Sequence, residues 1–438
     1  MRCILHIGTE KTATTLLQDW LYANRAALSQ RGVYLSDMLE KSNNRLFPAY
    51  FNSELDDWAK HAGIRSHEEK ARHFQGFEDH LAGEIRAASA GHDAFIITSE
   101  HLHSRIERPA DIARIRDFLR RHFANVTVIG YFRSQADMAV SLHSTALKLH
   151  STSTLEEFLA RGVTPARYYY NFEAIAGNWA DAFGQENCRF RIFEHARFPQ
   201  RDIRRDFLEQ AGLGTVSEGL DFAPMQRNQS LPALRAAAYR QINRSMPYWD
   251  EAAGQVNPLN IGLKKALESL PSLDAGSATS PRQQQIFEAF RASNAAFLRR
   301  FIPDAEGFAP PPLLDASREP HFTQAEVERI ITDLCAVLLN TLLPAQDARL
   351  RPGDGDQLRD IALRIEAGAS LGLDEAIILM ALARRARPGN EQIRRKLDDY
   401  QSAAANPAPK PGNRLGGQTG GWLGGRLGGW LRRLAGRQ

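Results

Sequence analysis

The chain has few cysteines and no long apolar run, and these absences restrict what it can be. Its 438 residues include only Cys3, Cys188 and Cys335, which lie far apart. Such cysteines provide neither a disulfide framework nor zinc-ligand spacing, and they are typical of a reducing compartment. The longest apolar run, residues 376–383, is well short of the ~18 residues of a membrane-spanning helix.

No secretory leader is predicted from the first residues, and the sequence has no large charge excess. The first residues lead directly into a short strand-like segment, so we expect a cytoplasmic protein. The formal net charge is +4, and residues 405–438 contain six basic residues and no acid, which leaves −2 for the rest. The chain before residue 405 therefore lacks the basic excess of nucleic-acid-binding proteins, and we expect no nucleic-acid partner.

The first 200 residues alternate short apolar segments with helical patterns. Strands are predicted at residues 3–7, 95–98, 126–132 and 188–193. Near-continuous apolar strands separated by amphipathic helices favour an α/β fold, with a parallel β-sheet flanked by helices on both faces.

Three regions are predicted along the chain. Residues 1–305 form the α/β domain, residues 306–404 a helical C-terminal module, and residues 405–438 a tail rich in Gly, Trp and Arg. Each tail glycine costs a helix roughly 1 kcal/mol relative to alanine, so we expect disorder in water. The Trp, Leu and Arg residues of segment 414–433 also suggest a peripheral contact with an anionic membrane.

An anion-binding loop is predicted where the first strand ends and the first helix begins. Backbone N–H groups at a helix start, and the positive end of the helix dipole, bind anions. The loop residues that contribute amides, hydroxyls or an ammonium group are Gly8, Lys11, Thr12, Ala13, Thr14 and Thr15. The ATPase loop differs, because its lysine directly follows a second glycine. The alternative is a threonine-rich helix cap without a ligand.

A second polar pair follows the most strand-like segment of the chain. Arg133 comes directly after that strand, and Ser141 lies eight residues later on the next predicted helix. An arginine fork can bind phosphate with two hydrogen bonds, and a serine two helical turns on would face the same crevice. Alternatively, Arg133 forms a surface ion pair and Ser141 is an ordinary helix residue.

Three predicted strands therefore end in charged or polar groups. The first leads to Lys11, the second to Glu100 and His101, and the third to Arg133. Ligands of open α/β sheets bind beyond the carboxyl ends of the strands, so these side chains are expected in one crevice. Glu100 is the first candidate for a general base, with His101 and His103 as alternatives. Glu100 otherwise acts as the N-cap of the following helix.

The string from Lys11 to Thr15, together with Arg133 and Ser141, resembles the two nucleotide-binding motifs of sulfotransferases that use 3′-phosphoadenosine-5′-phosphosulfate (PAPS). The resemblance is to the bacterial branch and covers residues 1 to about 305. It implies a P-loop-like fold, PAPS as co-substrate and no metal. The family's first motif reads K-T-G-T-T, and Ala13 replaces its glycine, which requires a negative φ or some strain.

The resemblance also implies further contacts. Phe172 stands near the family's adenine-stacking tyrosine, although core packing is an equal alternative. Arg227 lies in a segment similar to a loop that folds over the nucleotide, where it would touch the 3′-phosphate; the alternative is a solvated loop. The implied acceptor is a hydroxyl or amine, in the bacterial branch that of a carbohydrate or surface-glycan precursor.

The implied mechanism is in-line displacement, with Lys11 and the loop stabilising the transferred group and Glu100 taking the acceptor's proton. Two other functions are considered. The first is a P-loop phosphotransferase using ATP and Mg²⁺, with Glu100 as the acid for the metal; the lysine spacing argues against it. The second is a non-catalytic scaffold with a nucleotide-binding fold.

Overall fold

The predicted strands join one parallel sheet, with a further short strand at its edge. In this computed structural model the strands are β1 (Arg2–His6), β2 (Val33–Leu35), β3 (Ala94–Thr98), β4 (Val126–Phe132) and β5 (Cys188–Ile192). Their order is β2-β3-β1-β4-β5, and each neighbouring pair is parallel. The α/β class is confirmed. The sequence analysis missed β2, because three residues are too few to show a periodicity.

The central strand β1 is buried on both faces. Alternate side chains of a strand point to opposite faces. Accordingly Cys3 and Leu5 pack in one apolar cluster, whereas Ile4 packs in another on the opposite face. This burial explains why the strand is almost continuously apolar.

Helices cover both faces of the sheet. Up to residue 210 the described chain has α1 (Thr14–Ala23), α2 (Arg25–Ser29), α3 (Leu46–Phe51), α4 (Asp57–His61), α5 (His67–His73), α6 (Phe77–Ser89), α7 (His101–Ser104), α8 (Pro109–His122), α9 (Gln135–Leu149), α10 (Leu155–Leu159), α11 (Phe172–Phe183) and α12 (Ile203–Gln210). The large buried apolar side chains of α1 and α12 belong to the cluster that contains Ile4, and those of α6, α8 and α11 belong to the other cluster. The helices thus fill both layers beside the sheet.

The remaining described chain is helical apart from one short hairpin. Its elements are α13 (Ala233–Ser245), β6 (Trp249–Asp250), β7 (Gln255–Val256), α14 (Pro258–Glu268), α15 (Arg282–Ala289), α16 (Arg291–Phe301), α17 (Gln324–Gln346), α18 (Pro352–Gly368), α19 (Leu373–Ala386) and α20 (Glu391–Ala405). The sequence analysis did not predict the antiparallel β6–β7 pair. The C-terminal helical region is confirmed.

The described residues are 1–40, 42–224, 230–250, 255–274, 279–312, 324–346, 352–368 and 373–405. Arg227 and the tail segment 406–438, including its predicted membrane-contacting residues, lie outside them. The chain divides into two compact units, Met1–Thr341 and Leu342–Gln438, whereas the sequence pattern suggested a break after residue 305. The site described next belongs to the first unit.

Candidate functional site

A cavity of about 940 Å³ lies beyond the carboxyl ends of the central strands. Because β1 lies between β3 and β4, the segments that follow these three strands meet at one edge of the sheet. Lys11 follows β1, Glu100 follows β3 and Arg133 follows β4, and all three side chains line the cavity. The topology therefore brings together residues that lie more than 120 positions apart in the chain.

The start of α1 forms one wall of this cavity. Ala13, Thr14 and Thr15 line it, and the helix has no side-chain cap, so its first-turn N–H groups are available to an anion. Ala13 has φ 58° and ψ 29°, the left-handed conformation that glycine adopts without strain. The alanine in the loop motif is therefore accommodated at a cost in backbone strain.

Two further loop residues brace the loop. The hydroxyl of Thr12, which is fully buried, donates to the carbonyl of Thr9 at 2.7 Å. Gly8 has φ 98°, and a Cβ there would lie 3.1 Å from the Cα of Glu100. A glycine is thus required where the loop passes the end of β3, and neither Gly8 nor Thr12 is among the lining residues.

Lys11 extends from the loop towards α9. Its Nζ donates to the Thr145 hydroxyl at 2.8 Å, and Thr145 in turn donates to the Ser141 carbonyl at 3.2 Å. Burial lowers the pKa of Lys11, an effect that the charges of Glu10 and Glu100 oppose. The ammonium group therefore lies in the cavity next to α9, bound to a neutral partner.

Arg133 and Ser141 line the same cavity. The Arg133 Nε is 3.9 Å from the Asp137 carboxylate, and about a third of the Arg133 side chain is exposed. That separation is too long for a hydrogen bond, so the guanidinium N–H groups are not committed to Asp137. The geometry leaves the Arg133 fork available for a ligand.

The three candidate bases differ in their surroundings. Glu100 lines the cavity, makes no helix-cap hydrogen bond, and accepts one from the Gln18 amide at 2.6 Å. His101 also lines the cavity, and burial lowers its pKa, so the neutral imidazole is favoured at neutral pH. Its Nδ1 is buried and has no hydrogen-bond partner among the described residues.

His103 is the least available of the three. Its Nε2–H donates to the Tyr169 carbonyl at 2.9 Å, which leaves Nδ1 to accept from the Glu10 backbone N–H at 3.4 Å. The ring is 1% exposed, and burial lowers its pKa. The two ring nitrogens therefore hold the loop after β1 and the 3₁₀ turn Tyr168–Tyr170 in place, and His103 is not among the residues that line the cavity.

Phe172, the candidate for nucleotide stacking, lies in the core and is not among the residues that line the cavity. Phe172 is 1% exposed and packs edge-to-face on Phe132 and Phe297 in the core. Packing, the alternative considered from the sequence, accounts for this aromatic side chain. Among the described residues, the phenyl rings that line the cavity are those of Phe193, directly after β5, and Phe222.

The sequence analysis overlooked Phe193, although a signal was present. The predicted strand at residues 188–193 included it, whereas β5 ends at Ile192. Residues beyond the strand ends were expected to line the ligand crevice, but only charged and polar residues were selected there. The strand boundary and this restriction together concealed an aromatic lining residue.

The described part of the chain contains neither a cluster of metal-binding side chains nor a membrane-spanning helix. Within it, no group of three or more His, Cys, Asp or Glu side chains is arranged to hold a metal ion. None of its helices is long and apolar enough to cross a membrane.

Comparisons with known proteins give limited similarities. No protein-family model matches the chain. An uncharacterized protein of Archaeoglobus fulgidus is 22% identical over 192 residues, which are 44% of this chain and 50% of that protein. The crystal structure of a sulfotransferase from Alicyclobacillus acidocaldarius resembles this chain in part, with 18% identity and a TM-score of 0.31 over 57% of this chain and 97% of that one. Function is therefore inferred from the residues of the site.

Proposed function

We propose that the protein transfers a sulfuryl group from PAPS to a hydroxyl or amine of a carbohydrate acceptor. One observation carries this proposal: a helix start with Lys11, an Arg133–Ser141 pair and the carboxylate of Glu100 all line one cavity at adjacent strand ends. PAPS carries two separate anionic groups on one nucleoside. A cavity with two separate anion-binding groups, flanked by aromatic rings, suits such a donor.

Each part of the donor has a matching group. The 5′-phosphosulfate would bind the first-turn N–H groups of α1 and the ammonium group of Lys11. The 3′-phosphate would accept from the fork of Arg133 and the hydroxyl of Ser141. The adenine would stack on Phe193 or Phe222, which line the same cavity.

The chemical step is a displacement at sulfur. The acceptor oxygen or nitrogen forms a bond to the sulfur, while the bond from sulfur to the 5′-phosphate oxygen breaks. The acceptor's proton passes to Glu100, and the leaving group is 3′-phosphoadenosine-5′-phosphate. Lys11 and the α1 N–H groups stabilise the charge that develops on the sulfuryl and leaving oxygens.

A binding comparison tests this function against its rivals. We expect calorimetry to show tighter binding of 3′-phosphoadenosine-5′-phosphate than of ATP with Mg²⁺, and we expect radiolabelled sulfate to pass from PAPS to at least one neutral or amino-sugar glycan. Tighter binding of ATP with Mg²⁺ would instead indicate a phosphotransferase. Failure to bind any of these nucleotides would indicate a scaffold.

Arg133→Ala is expected to weaken the 3′-phosphorylated nucleotide far more than its 3′-dephospho analogue. The reason is the loss of a charge-assisted bidentate contact, for which about 1.5–3 kcal/mol is typical. Calorimetry with both nucleotides measures the difference. Asp137→Ala is the matched control, because the Asp137 carboxylate lies 3.9 Å from the Arg133 Nε. Equal losses for the two nucleotides would assign Arg133 a structural role.

Phe193→Ala is expected to lower nucleotide affinity by about 1–3 kcal/mol, the usual contribution of a base stacked on an aromatic side chain. Phe172→Leu is the control, because Phe172 is buried in the core and its substitution should lower thermal stability but leave affinity unchanged. Calorimetry and thermal melting of both variants give the two quantities. The reverse pattern would restore the stacking role to Phe172.

A further inference from the structure

The side chain of Gln18 is buried between the anion-binding start of α1 and the proposed base. It is 1% exposed, and its Nε2 lies 2.6 Å from Oε2 of Glu100. Since an ionised carboxylate can only accept hydrogen bonds, the amide donates. Thr14 precedes Gln18 by four residues and therefore lies on the same side of α1. The same helix thus lines the proposed anion site through Thr14 and contacts the proposed base through Gln18.

We infer that Gln18 is a positioning residue: it fixes the Glu100 carboxylate for proton transfer and holds it apart from Lys11. This inference rests on the proposed function. Lys11 and Glu100 carry opposite charges and line one cavity, so a direct ion pair between them would occupy both groups. In that pair the lysine would be diverted from the sulfuryl oxygens and the carboxylate from the acceptor.

Neutral partners hold the two charged groups separately. Glu100 accepts from the Gln18 amide, and the Lys11 ammonium donates to the Thr145 hydroxyl at 2.8 Å. Within the part of the chain that the structure describes, Lys11 forms no ion pair, although Glu100 lies close enough to influence its titration. A neutral amide satisfies one carboxylate oxygen without cancelling the negative charge.

The second carboxylate oxygen remains available. Oε1 of Glu100 lies 4.0 Å from Nε2 of His101, too far for a hydrogen bond. The Glu100 side chain is 17% exposed and lines the cavity. With Oε2 bound by Gln18, the carboxylate cannot rotate freely, and Oε1 is the atom left to accept a proton.

The test compares Gln18→Met, which removes the donor at similar volume, with Leu21→Met as the matched control. Leu21 is fully buried on the same helix, in the apolar cluster. For Gln18→Met we expect kcat to fall roughly tenfold, since small misplacements of reacting groups are costly. Nucleotide affinity should stay within about twofold, and the acidic limb of the pH–rate profile should move to higher pH, since a donor to the charged carboxylate is lost. Leu21→Met should change none of these.

A double-mutant cycle separates positioning from simple structural support. In the Glu100→Gln background, Gln18→Met should cause almost no further loss of kcat, because there is no base left to orient. An equal loss in both backgrounds, or an unmoved acidic limb, would overturn the inference.

Urea unfolding of the wild type, Gln18→Met, Glu100→Leu and the corresponding double variant tests the contact without activity. Leucine replaces Glu100 in this cycle because it, unlike glutamine, cannot accept the hydrogen bond from Gln18. We expect the two substitutions to be coupled by about tenfold in the unfolding equilibrium constant. If the wild type transferred no sulfuryl group, the proposed function and the positioning role would fail together, while the coupling would still establish the contact. Activity without coupling would refute Gln18 alone.

Discussion

Glu100→Gln is expected to lower turnover roughly 10²–10⁴-fold while nucleotide affinity stays nearly unchanged. The substitution removes basicity but keeps the size of the side chain, and a positioned base usually contributes that range. Affinity is retained because Lys11 and Arg133, rather than Glu100, are the proposed anchors. The fold should also be retained. In the wild type the Gln18 amide donates to the Glu100 carboxylate at 2.6 Å, and the glutamine oxygen of the variant can accept the same hydrogen bond.

Asp19→Asn is the matched control for this variant. Asp19 is another acid that lines the cavity, and it accepts a hydrogen bond from the Ser42 hydroxyl, which an asparagine oxygen can also accept. We expect a loss below about tenfold, because Asp19 does not follow the end of a strand. Steady-state kinetics and calorimetry on both variants give the comparison.

A full-rate Glu100→Gln enzyme would transfer the role of the base to His101, whose buried Nδ1 has no partner among the described residues. Inhibition of the wild type by a chelator would instead indicate a metal-dependent phosphotransferase.

Lys11→Ala is expected to lower the rate of sulfuryl transfer by about 10²–10³-fold and to leave the fold intact. The ammonium group lies beside the start of α1, where the charge of the sulfuryl and leaving oxygens would develop, and loss of one such stabilising donor has this cost. The backbone at this position has φ 66°. Alanine keeps the Cβ, so the substitution does not change the backbone strain and isolates the effect of the charge.

Lys148→Ala provides the control for charge alone. Lys148 lies on α9, lines the same cavity and is close enough to Lys11 for its charge to lower the pKa of Lys11, but it does not belong to the loop between β1 and α1. We expect it to lower the rate much less than Lys11→Ala does. Single-turnover measurements at saturating PAPS would compare the chemical step in the two variants. Near-wild-type turnover of Lys11→Ala would contradict the proposed mechanism.

Contacts between residues that are distant in the sequence explain which features of the site the sequence analysis could not predict. Local spacing identified Arg133 and Ser141 as a pair on a strand end and the following helix, and the two line one cavity. Local spacing placed Glu100 first among the three candidate bases but could not show how their surroundings differ, because those surroundings are contacts from distant segments. The Gln18 amide comes from α1, and the partner of His103 is the Tyr169 carbonyl. The roles of these residues in binding and catalysis remain predictions.

The sequence by itself determined the parallel α/β class and the strand ends at which charged groups gather. It could do so because a strand buried on both faces must be apolar along its length, and because parallel strands end at one edge. Only the tertiary structure decided which aromatic side chain lies in the core and which lines the cavity. Phe172 is buried because Phe132 and Phe297 pack against it from β4 and α16, and Phe193 lines the cavity because β5 ends one residue earlier. Whether a side chain is buried depends on which distant residues pack against it, and the local sequence pattern does not show those contacts.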